Sequence, residues 1–265
     1  MVRRSTVTAM AHTLSEALQR IAENPTVAAS ATAAREEIDT LLWRRDIRAA
    51  AKEVAAASVL RGGRDSAAID GADVAVVDGS PMGRVLDAGW RITTEVPAFV
   101  DIWANAPLQA LAGLHSVAAI DVLSPAELGR PRSDLNADDP LNIGPIPDAA
   151  IAAARLTQLA DLVTDSGNVP ALVVAAITHA ELMALRPFTW GSGLVARASV
   201  RLVLAERGVD PSLFSIPELG MLTLGRPAYV TALRAYLTGS ADGVNDYLVW
   251  FMTCIGEGAR EVHVP

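Results

Sequence analysis

Two apolar helical runs joined by a glycine turn leave this chain few ways to fold. The window 170–185 is the most apolar in the sequence, contains His179 and Glu181, and is too short to span a bilayer. It runs into Arg186-Pro187-Phe188; a tight Gly191-Ser192-Gly193 turn follows, and a second apolar run begins at Gly193. Two buried helices joined by a loop that ends in backbone N–H groups make a pocket suited to an anion.

The rest of the composition agrees with a helical core. Hydrophobic residues make up 51% of the 265, aromatic residues only 5%, and alanine-rich runs dominate. That favours an all-α protein over a β-sandwich, as one large domain or two small ones. The net charge is −8 and the pI about 5.0, so no nucleic-acid partner is expected. Cys254 is the single cysteine and lies in the apolar run 247–254, which excludes a disulfide framework and fits the cytoplasm. The N-terminus leads into polar helix, so neither a signal peptide nor a membrane partner is indicated.

In chain order, Thr13-Leu-Ser-Glu16 reads as a capping box for a helix through Glu23, ended by Asn24-Pro25. Residues 26–60 read as one long helix that Gly62-Gly63 breaks, and Ser66–Gly71 as one further turn closed by glycine. Helices follow from Pro81 to about Trp103, perturbed at Pro97, and from Pro107 to Val122. Residues 124–147 carry five prolines and an acidic cluster, and predict a flap loop with a short β-hairpin, in which Asp138-Asp139 is a surface acidic pair. Helices are then expected from Asp148 to about Thr164, from Pro170 to Leu185, from Gly193 to Arg207, from Arg226 to Leu237 and from Asp242 to about Arg260. His115 and His179 lie on apolar helices; His115 reads as a satisfied core or loop-bracing group, and His179 as one that could hydrogen-bond the flap or the signature loop. Metal-ligand spacings and a Gly-x-Ser-x-Gly elbow are missing from the sequence.

The stretch 186–197 resembles the signature of the Fic (Fido) family, His-Pro-Phe-x-Asp/Glu-Gly-Asn-Gly-Arg-x-x-Arg. Pro187, Phe188, Gly191, Gly193 and Arg197 match; Arg186, Trp190, Ser192 and Leu194 depart. The order of the surrounding helices over residues 50–255 is similar as well. The resemblance implies an all-α Fic-type core over 76–265, with residues 1–75 as an N-terminal helical arm and the flap beside the signature. In that family the histidine is the general base of AMP transfer, the acidic residue holds a divalent metal on the nucleotide, and the glycine turn and arginines cradle phosphates. Here Arg186 stands at the general-base position and stays protonated, so it cannot accept the proton. Trp190 stands at the metal-carboxylate position and offers a hard cation no oxygen, so magnesium is not expected. Leu194 removes a bidentate phosphate contact. Ser66-x-x-x-Asp70-Gly71 resembles the family's inhibitory helix, whose acidic residue pairs with the last arginine of the signature, Arg197 here.

These features imply a degenerate Fic-domain pseudoenzyme that lacks AMPylation and acts by binding. Its anion or nucleotide site would comprise Arg186, Gly191, Ser192, Gly193 and Arg197, faced by Ser66, Asp70 and Gly71. Phosphate, ATP or another nucleotide is the small-molecule candidate, and a protein partner or a homodimer the macromolecular one. The alternatives are an active Fic-class nucleotidyl- or phosphoryl-transferase with altered chemistry, and a purely structural interaction protein.

Overall fold

A computed structural model describes residues 15–72 and 80–265. Twelve helices occur among them: α1 (residues 15–22), α2 (Pro25–Trp43), α3 (Arg45–Ala49), α4 (Ala51–Ile69), α5 (Pro81–Asn105) and α6 (Pro107–Ala119) precede the flap. After it come α7 (Ala149–Asp165), α8 (Ala171–Leu185), α9 (Ser192–Glu206), α10 (Pro217–Leu224), α11 (Arg226–Leu237) and α12 (Ala241–Arg260). The residues Thr13 and Leu14 of the expected capping box, and most of the loop before Ser80, lie outside the described residues.

α8 sits at the centre. Of its fifteen residues only Ala171 and Glu181 are not fully buried, as an all-round apolar helix requires. α9 packs along it, α5 and α6 lie against α9, and α7, α11 and α12 close the other side of α8. The N-terminal helices lie against the rest of the chain: α2 packs on α12, and α4 on α5 and α10.

Four expectations need correction. The run 26–60 is not one helix. Arg44 takes an extended conformation (φ −61°, ψ 126°), and its guanidinium donates to the Val262 carbonyl (2.7 Å) and the Asp46 carboxylate (2.6 Å). These contacts turn the chain around α12 at the cost of helix continuity. Gly62-Gly63 does not break α4. A Cβ on Gly63 would stand 2.7 Å from the Gly89 carbonyl oxygen, and one on Gly89 would stand 2.4 Å from the Gly63 oxygen. The glycines serve close approach of α4 to α5, and packing outweighs their helix cost of about 1 kcal/mol each. The flap carries no strand among the described residues; it runs as irregular chain from Ser124 to Asp148, after α6 ends at Ala119 rather than Val122. Finally, α10 is a helix that the glycine and proline punctuation around it conceals, with Pro217 at its first position.

Candidate functional site

The last turn of α4 delivers the first group. Gly71 (φ 94°) follows the helix in the left-handed region, with Gly71 N–H on the Ala68 carbonyl and Ala72 N–H on the Ala67 carbonyl, 3.0 Å each. This is a Schellman closure, and it fixes Asp70 at the helix end. From there Asp70 Oδ2 accepts from Arg197 Nη2 at 2.6 Å, while Ser66 Oγ accepts from Arg197 Nε at 2.7 Å. Arg197 is completely buried and the Asp70 side chain is 8% exposed. Burial works against the Arg197 guanidinium, but the Asp70 carboxylate outweighs it and holds the group above its ordinary value.

Behind Arg197 lies a buried polar chain. The Tyr229 hydroxyl of α11 faces its guanidinium. His179 is bracketed by two phenols, Tyr229 on Nε2 and Tyr247 on Nδ1, both at 2.6 Å, and the Tyr247 hydroxyl donates to the Ala176 carbonyl at 3.1 Å. Only one tautomer satisfies all of these bonds: Tyr229 donates to Nε2 and Nδ1–H donates to Tyr247. Burial, with a lesser push from Arg197, drives the His179 pKa down to about 3, so the ring is neutral. His179 therefore braces α8 against α11 and α12, not against the flap or the signature loop.

His115 does brace the loop. Its Nε2–H donates to the Trp190 carbonyl (3.2 Å), its Nδ1 accepts from the Gly129 amide (2.9 Å), and its ring stacks on Phe188 at 3.9 Å. Burial lowers its pKa to about 4.

Arg186 is turned into the flap. It closes α8 in the left-handed region (φ 42°), a strained setting for a long side chain. Its guanidinium donates to Asp139 Oδ2 (2.8 Å), to the Gly144 carbonyl (2.9 Å) and to the Pro145 carbonyl. Arg132 returns the tie from the other side. Its side chain donates to the carbonyls of Arg186 (2.8 Å), Leu185 (3.2 Å) and Pro147 (2.6 Å), and its backbone amide donates to the Pro187 carbonyl (2.8 Å). A further backbone bond joins Asp138 N–H to the Thr189 carbonyl at 3.0 Å. The flap thus lies along residues 187–191 without forming a sheet.

The N-terminal end of α9 is also engaged. Gly191 (φ 74°) makes the turn, and its amide donates to Asp138 Oδ2 at 3.0 Å. Ser192 Oγ accepts from the Phe188 amide (3.1 Å) and donates to the Phe188 carbonyl (3.2 Å). The space beside Gly193 is taken as well: a Cβ there would stand 3.2 Å from both Asp70 oxygens and 3.1 Å from Arg197 Nη1. Of the five residues read as an anion site, Arg186, Gly191, Ser192 and Arg197 each direct a donor to this chain's own acceptors, while Arg186 Nε and Arg197 Nη1 make no hydrogen bond among the described residues. Asp138 is no surface residue; it is half-buried, with Oδ1 sealed from solvent and without a partner. No local feature of the chain signals its role, or the roles of Arg132 and Tyr229. Only the charge match between Asp139 and Arg186 was available to find the flap contact.

A cavity of about 350 Å³ opens here, walled by Asp70, Asp138, Asp139, Trp190, Leu194 and Met82. The residues present do not fit a divalent metal on phosphates: Trp190 and Leu194 supply apolar surface, and Asp139 is committed to Arg186. Among the described residues no group of three or more His, Cys, Asp or Glu side chains is arranged to hold a metal ion. No described helix is long and apolar enough to cross a membrane.

Asp138 makes this site sensitive to pH. Burial raises its pKa to about 6, the Gly191 amide opposes the rise, and Asp70 and Asp139 add to it. A carboxyl whose folded pKa lies above its unfolded value stabilises the fold below about pH 4, and that stabilisation is lost as pH rises through 6. Asp138→Asn keeps an acceptor for Gly191 and removes the buried charge. At pH 8 it should therefore stabilise the protein by roughly 1–2 kcal/mol, a rise of a few degrees in Tm, and the gain should vanish at pH 4. Thermal melts of both proteins across that range check this; equal gains at pH 4 and 8 would refute it.

No family model matches the sequence, and no curated protein shows significant similarity to it. Solved structures do. A Fic family protein from Desulfovibrio desulfuricans G20 superposes with a TM-score of 0.67 at 18% identity, over 90% of this chain and 74% of the other. Fic-1 from C. elegans superposes with a TM-score of 0.59 at 16% identity, over 97% of this chain and 73% of the other. The chain has the Fic fold.

Proposed function

We propose that this Fic-fold chain has lost AMP transfer and works by binding, with residues 1–75 as the arm that brings Asp70 to the signature loop. One observation carries the reading: the group at the general-base position, Arg186, is permanently charged and its guanidinium is spent on the flap. Transfer also needs a metal carboxylate and phosphate clamps acting together with the base. Trp190 and Leu194 stand at two of those positions, and Arg197, the remaining cation, is tied to Asp70 and Ser66. Losses among groups that act as a unit are not repaired one at a time.

The expected result is no labelled AMP on the protein itself or on lysate proteins with ATP and magnesium or manganese. Arg186→His alone should not restore labelling, because Trp190 still occupies the metal position. Labelling by the wild-type chain above background would overturn the reading.

A further inference from the structure

A second groove shares no residue with the signature loop or its cavity. It encloses about 480 Å³ between the end of α2, the junction of α3 with α4, and residues 211–214 of the loop before α10. The α2 wall is a stripe of Arg35, Asp39, Leu42 and Trp43, at the i, i+4, i+7, i+8 spacing of one helix face. The opposite wall is held in shape by buried Asp210. Its carboxylate accepts from the Phe214 amide (3.1 Å), the Ser215 amide (2.8 Å) and the Ser215 hydroxyl (2.6 Å). The groove is thus formed without an occupant, which spares a partner the cost of ordering it. Trp43 stands at its rim, 73% exposed, the most exposed large apolar side chain among the described residues. The Arg48 guanidinium lies over its ring, 5.4 Å from the centroid. The surrounding sequence is basic. Residues 43–53 hold Arg44, Arg45, Arg48 and Lys52 against Asp46 and Glu53, a net charge of +2 in a chain of −8. Arg44 pairs with Asp46 and Arg35 with Asp39, while Arg45, Arg48 and Lys52 make no ion pair among the described residues.

From an exposed indole and unpaired cations beside a preformed apolar cleft, we infer that this groove docks a short acidic segment of another protein that carries a large apolar anchor. The anchor would enter between Leu42, Phe214 and Pro211 and pack on the indole, and the flanking carboxylates would meet Arg48, Arg45 and Lys52. Tryptophan and arginine are the side chains that dominate such contacts, and arginine clusters are the usual readers of acidic motifs. A second copy docked about a two-fold axis would set these cations against themselves. A nucleic acid would gain few phosphate contacts from three cations and meet repulsion from the rest of an acidic chain. The inference goes beyond the AMP-transfer reading and stands whether or not that reading does.

The test is fluorescence anisotropy on the full chain with a fluorescein-labelled peptide, Glu-Asp-Glu-Leu-Phe-Glu-Asp. Two control peptides carry amides in place of the acids, or serines in place of Leu-Phe. The acidic peptide should bind saturably and lose affinity as salt is added, and each control should bind about tenfold more weakly or worse. Trp43→Ala and Arg48→Glu change exposed side chains, so both should melt as the wild type does, and each should weaken the peptide about tenfold. Arg130→Glu, an equal change of charge on the exposed flap, should leave the affinity as it is. No saturable binding at millimolar peptide overturns the inference, as does equal binding of the amide peptide or an unchanged affinity in Arg48→Glu. Tighter binding of a labelled oligothymidylate than of the peptide would make the groove a nucleic-acid site. Self-association that Trp43→Ala abolishes, read by light scattering, would make it an interface between copies. Either result overturns the inference too. AMP labelling is read separately, so labelling by wild type sinks the proposed function alone and silent anisotropy sinks the docking groove alone.

Discussion

Replacing Glu218 by alanine should cost the fold about 3–5 kcal/mol, the range for breaking one side of a buried ion pair. Glu218 and Arg201 are 1% and 2% exposed, and they meet through two short bonds of 2.8 Å, Arg201 Nε to Oε1 and Nη2 to Oε2. Arg201 also donates from Nη1 to Ser58 Oγ at 3.0 Å and from Nη2 to the Ser58 carbonyl at 3.2 Å. One guanidinium on α9 therefore pins α4 and α10 together. Gly62 makes room for it, since a Cβ there would stand 2.1 Å from Arg201 Nη2. Removing the carboxylate leaves a charge with no route to water. Urea titration should show a large fall in the unfolding midpoint, whereas a paired replacement of both residues by apolar side chains should cost much less, because no charge is stranded. A fall of under 1 kcal/mol in Glu218→Ala would mean that water reaches Arg201 and that the pair does not organise these helices.

The second large effect is expected at Asp70. Asp70→Ala strands Arg197, which is completely buried, and should also cost about 3–5 kcal/mol. Asp70→Asn keeps an acceptor near Nη2 and should cost less. The two pairs differ in consequence. The Arg201–Glu218 pair lies away from the cavity, so variants that still fold should keep the signature loop intact. Asp70 lines the cavity and abuts Gly193, so its loss should alter the site as well as the stability. Denaturant unfolding, with amide hydrogen exchange across 186–197, separates these outcomes. Protection of that loop unchanged in Asp70→Ala would show that Asp70 is a stabilising cap with no hold on the site.

The all-α class and the central place of α8 were legible because they follow from local physics. A run of fifteen nearly apolar residues must be buried on all sides, and proline and glycine punctuation marked most helix starts. The motif 186–197 was equally legible, since its glycines and Pro187 impose a turn whatever surrounds them. The sequence by itself also placed an arginine and an indole at residues 186 and 190, side chains that supply neither a proton acceptor nor a carboxylate oxygen.

Only the tertiary structure decided where the charges went. Arg186 reads as a cation free for a ligand until the flap is folded back, when three acceptors 41–47 residues upstream claim it. Asp138 reads as a solvated carboxylate until its oxygen is found on Gly191. His179 reads as a neighbour of the loop until Tyr229 and Tyr247, 50 and 68 residues later, take both ring nitrogens. Gly62-Gly63 reads as a helix break until a second helix and a guanidinium press against it. In each case the deciding partner is distant in sequence, and a side chain's hydrogen-bonding capacity does not say which distant group will fill it. That assignment comes from the packing of the helices, which buries these groups and so obliges each to find a partner.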